Sequence, residues 1–151
     1  MGKTMNFRAS NNIRMFEFFK TYVHQTEHNE HYVDGSYVLE NPGVIVDFQN
    51  IEHTYEIFKL LSCHWGGWND TPTADEMYHI AKHWEEAYAA EIKDIGGDCI
   101  DFRVNRTLSE DEIDTLLGEI RNTNAEANCD GGYEQLRQMI REKNEFSIWW
   151  D

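Results

Sequence analysis

Apolar residues recur along this chain at two spacings, and the alternation between them predicts its elements. Over residues 10–24, Ile13, Phe16, Phe19 and Val23 fall at helical spacing, with Met15, Phe18 and Tyr22 widening the stripe. This predicts a helix buried on two sides or against a partner, capped by Ser10 or Asn11. A polar, histidine-rich stretch follows over 25–34. Residues 36–39 and 44–48 are β-branched and aromatic around the turn-forming Asn41-Pro42-Gly43, which predicts a hairpin. Asn50 is placed to cap a helix carrying Ile51, Tyr55, Phe58 and Leu61; a strand over 56–61 is the competing reading.

The second half carries stronger signals. Thr73 and Glu76 fit the capping box that opens a helix, and Met77, Ile80, Ala81, Trp84 and Tyr88 follow at helical spacing. The expected helix spans about 73–90. Residues 91–95 and 99–104 predict a hairpin with Gly96-Gly97 as its two-residue loop. Ser109 and Glu112 form a second capping box, ahead of Ile113, Leu116, Leu117 and Ile120. After the break at Asp130-Gly131-Gly132, Leu136, Met139 and Ile140 mark a helix over about 133–143. Phe146, Ile148 and Trp150 then alternate with Ser147 and Trp149 in a terminal strand, 146–151. Trp150 is expected in the core beside Trp84, and Trp149 on the opposite side of the sheet. The order of elements predicts an α+β fold, a mainly antiparallel sheet with helices packed on one face.

The segment around which these elements are arranged is Trp65-Gly66-Gly67-Trp68, which joins a tight turn to the capped helix. Two glycines allow crowded backbone conformations, and two large rings flank them. One reading is a packed corner, the commoner use of clustered aromatics. The other is an aromatic-walled pocket, for which His64, Trp65, Gly66, Gly67, Trp68 and Asn69 are the candidate ligand-binding residues.

The run Gly-Gly-Trp-Asn-x-x-Pro (66–72), a helix holding His83-Trp84-Glu85, a hairpin, and the terminal Trp149-Trp150-Asp151 together resemble the bacterial family called domain of unknown function 4253. The resemblance covers about residues 62–151. Two positions depart from the family's habit: Thr71 stands where relatives often carry a cysteine before the proline, and Cys129-Asp130 stands in place of a Cys-Pro-Asp run. The resemblance implies no activity, cofactor or catalytic residue.

A chain of 151 residues with 40% hydrophobic and 13% aromatic residues can bury a core as a single domain, 1–151. No apolar run is long enough to span a bilayer, and the first residues lack the apolar region of a secretory signal. Cys63, Cys99 and Cys129 are odd in number and widely spaced, which predicts free thiols and a cytoplasmic setting. The formal net charge of −15 disfavours direct contact with nucleic acid or anionic membranes and favours basic partners.

Candidate chemistry is sparse. His79, His83 and Glu86 share a helix face with metal-ligand spacing, but the set is short of a four-ligand site and a solvated polar face accounts for it; no metal or cofactor is expected. His24, His28 and His31 align only if the first helix extends that far. Cys63 beside His64 invites a nucleophile reading, but sequence neighbours need not point together and a free cysteine is usually buried packing; no phosphate-binding or serine-hydrolase motif occurs. The leading expectation is a small acidic binding protein of bacterial or phage origin, not an enzyme, acting by protein contact in a toxin-neutralising or host-factor-blocking manner. The rival is a small-molecule-binding or sequestering protein, or an enzyme, with an aromatic pocket near Trp65 and Trp68. A lesser alternative is a DNA mimic built on the acids of 85–101 and 110–119.

Overall fold

The computed structural model describes residues 3–8, 44–48, 51–61, 65–68 and 70–150. In chain order these form β1 (Lys3–Arg8), β2 (Val44–Phe48), a 3-10 turn (Thr54–Glu56) running into α1 (Ile57–Leu61), α2 (Ala74–Tyr88), β3 (Ala90–Gly96) and β4 (Cys99–Val104). There follow α3 (Glu110–Asn122), the short β5 (Glu126–Ala127), α4 (Gly132–Lys143) and β6 (Glu145–Trp149). The expected helix over 10–24, the strand over 36–39 and His24, His28 and His31 lie outside the described residues.

The six strands make one sheet in the order β2-β1-β3-β4-β6-β5. All neighbouring pairs are antiparallel except β1 with β3. The fold is α+β, as the order of elements predicts. Ile100, Phe102 and Val104 of β4 and Phe146 and Ile148 of β6 are buried, while Cys99, Asp101, Ser147 and Trp149 between them are half-exposed. That alternation is the period-two signature of a sheet covered on one face. Buried residues of α2, α3 and α4 join those strand residues in one core. Phe102 and Phe146, paired across β4 and β6, stack at 4.7 Å, and Trp84 meets both edge-on at 5.4 and 5.8 Å. Such aromatic contacts add about 0.5–1.5 kcal/mol each beyond the area they bury.

Several expectations change in detail. β2 pairs with β1, a strand that the apolar pattern did not predict and in which Met5 is buried. The helix reading holds over 57–61, and the competing strand does not form. Its start lies at Thr54, where the backbone N–H groups of Glu52 and His53 both donate to Glu56 at 2.8 Å. The hairpin loop is Gly97-Asp98, not Gly96-Gly97: Gly96 is buried, pairs with Arg8, and gives its carbonyl to the Trp65 indole N–H at 2.7 Å. A strand glycine here lets another group approach the backbone closely. The central helix ends at Tyr88 because Ala89 takes a left-handed conformation (φ 56°), and Ala90 already belongs to β3. The register shifts between Ile92 and Asp94, so that both Ile92 and Ile95 reach the core. The Ile92 N–H donates to the buried Thr54 hydroxyl at 2.9 Å, tying β3 to the turn before α1.

Candidate functional site

The loop before α2 is folded back on itself. Gly66 and Gly67 have φ of +72° and +80°, the left-handed region glycine enters without penalty. The Gly67 N–H donates to the carbonyl of Pro72 at 3.0 Å, and the Thr71 N–H to that of Trp68 at 3.0 Å. Gly66 also bridges to Thr73, whose hydroxyl accepts from the Glu76 N–H at 3.1 Å while Glu76 accepts from the Thr73 N–H at 3.0 Å. The loop is anchored by Trp65, 1% exposed, whose ring meets Phe58 at 5.1 Å and Trp150 at 5.7 Å edge-on. This clamp holds Asp70, Thr71 and Pro72 as a fixed wall beside the first half of α2.

Against that wall lies a groove of about 650 Å³. Its second side is the stripe Glu76, His79, Ile80, His83 and Trp84, residues that share a helix face by their three- and four-residue spacing. Its third side is the end of α3 and the turn beyond it: Glu119, Asn122, Thr123 and Asn124. The volume falls within the range of small-molecule sites. A second hollow of about 700 Å³ opens on the other side of Thr73, but there Lys59 already lies across the Tyr78 ring at 4.7 Å.

Glu119 organises the groove's inner end. One of its oxygens accepts from the Trp84 indole N–H at 3.2 Å and lies 3.1 Å from His83 Nε2. Burial pushes the Tyr88 hydroxyl up to about 12, and the charge of Glu119 adds to the effect. At the outer end, the backbone N–H of Thr73 holds the Glu76 carboxyl below its ordinary value. Thr71 lines the same groove. It is 6% exposed, and its hydroxyl meets no hydrogen-bond partner among the described residues. An unpaired buried hydroxyl costs about 1–3 kcal/mol, and this oxygen is shielded from the groove as well as from solvent.

Of the residues expected from sequence, Trp65 is in the core, Gly66 is buried, Gly67 is exposed and Trp68 is half-buried. His64 and Asn69 lie outside the described residues. The turn thus acts as a packed corner at Trp65, and its product is the position of residues 70–72. His79 and His83 both line the groove, but His83 faces Glu119 from α3, and Glu86 is not among the lining residues. Among the described residues no three metal-ligating side chains are grouped, so His79, His83 and Glu86 do not assemble as the spacing suggested. Thr71 stood out in the sequence only as a departure from the family pattern and Glu119 only as one of a run of acids; their place in the groove, with residues 122–124, comes from how α3 lies beside α2.

The model of one family matches residues 48–151, more than half of the chain, and that family is described as Domain of unknown function (DUF4253). The chain belongs to this family. The DUF4253 match takes in every element from α1 onward and the whole groove, while β1 and nearly all of β2 lie before it. Neither a curated protein nor a solved structure matches the chain. No helix among the described residues is long and apolar enough to cross a membrane, and Cys129 is a free thiol.

Proposed function

We propose that this protein binds or sequesters a small molecule in the groove between α2 and α3. The observation that carries the reading is the groove itself, about 650 Å³, with Ile80 on its face and Glu76, His79, His83 and Glu119 among its lining residues. Apolar surface from Ile80 beside convergent polar groups is the composition such sites use. The site differs from the aromatic pocket expected at Trp65 and Trp68, yet the same turn builds it.

A contact role toward a basic protein rests on the net charge of −15. On α3, however, Glu110, Glu112 and Asp114 are engaged by Arg141, Arg106 and Arg137. That run is not a bare row of carboxylates, which weakens both the contact and the DNA-mimic readings relative to the groove.

The test is retention of a ligand. Purified protein is incubated with the low-molecular-weight fraction of a cell extract, washed, denatured, and the released species identified by mass spectrometry. Ile80→Trp, which fills the groove, serves as the comparison after a thermal melt confirms that it folds. A species retained by the native protein and lost in Ile80→Trp is the expected result. Retention of nothing, or equal retention by both, refutes the reading.

A further inference from the structure

We draw no further inference here: the strongest candidate, the His83–Glu119 pair on the inner side of the α2–α3 groove, belongs to the site already described, and the carboxylates around it are an acidic cluster that no second observation ties to a ligand.

Discussion

Replacing Gly66 with alanine tests the clamp that shapes the groove, because the neighbouring Gly67→Ala is a nearly matched control. Both glycines have positive φ, so any added side chain costs about 1–2 kcal/mol at either site. They differ in space. A Cβ on Gly66 would lie 2.0 Å from the Pro72 carbonyl oxygen, whereas one on Gly67 meets only the Thr73 methyl at 3.6 Å. The Pro72 oxygen is a backbone atom and also accepts the Gly67 N–H, so relieving the clash breaks that hydrogen bond. Losing it costs about 1 kcal/mol net. Forcing a methyl group into a packed site adds about 1–3 kcal/mol. Gly66→Ala should therefore destabilise by about 3–6 kcal/mol, against about 1–2 for Gly67→Ala, two effects that urea denaturation separates easily. Because the displaced carbonyl belongs to the groove wall, Gly66→Ala should also abolish ligand retention under conditions where it remains folded. Midpoints within about 1 kcal/mol of each other would show that the chain does not approach Gly66 so closely, and the clamp argument would fall.

Other outcomes follow from the same packing. Gly118 sits in the interior of α3 with open space around its Cβ position, so Gly118→Ala should stabilise by about 0.5–1 kcal/mol in a thermal melt; a lower melting temperature would contradict this. Trp65→Ala and Trp84→Ala, each removing a ring 1% exposed, should cost about 3–5 kcal/mol, and Trp68→Ala, half-buried, should cost less. Denaturant midpoints that put Trp68 first would overturn that order. The hydrogen bond to Glu85, 3.1 Å from His53 Nδ1, holds the His53 pKa above its ordinary 6.5. Stability from this pair is thus complete below pH 6.5 and lost as pH rises through the raised value. The melting-temperature gap between the native protein and His53→Gln should narrow from pH 6 to 9, starting small because the ring is nearly half exposed; a widening gap would reverse the sign of the coupling.

Much of this molecule was legible before any tertiary contact. The Thr73–Glu76 and Ser109–Glu112 capping boxes both form, and the helices they open bury Met77, Ala81 and Trp84, and Ile113, Leu116, Leu117 and Ile120, as their spacing requires. The terminal alternation places Phe146, Ile148 and Trp150 inside and leaves Trp149 half-exposed. These features rest on interactions within four residues, or on a strict period of two, so one stretch of chain contains all the information. Packing decided the rest. β5 is two residues long and exists only because β6 offers it an edge. The irregularity between Ile92 and Asp94 breaks the period that a sequence reading must assume. The hairpin loop moved by one residue because Gly96 receives the Trp65 indole from 31 positions away. The groove is the clearest case. The sequence singled out His79 and His83 by their spacing on one helix and the glycine turn by its composition, but what surrounds His83 is Glu119, 36 residues further on, and what the turn supplies is the wall at Thr71. A helix face is a property of its own stretch; a cavity is a property of the separation between two stretches, and only the folded chain sets that distance.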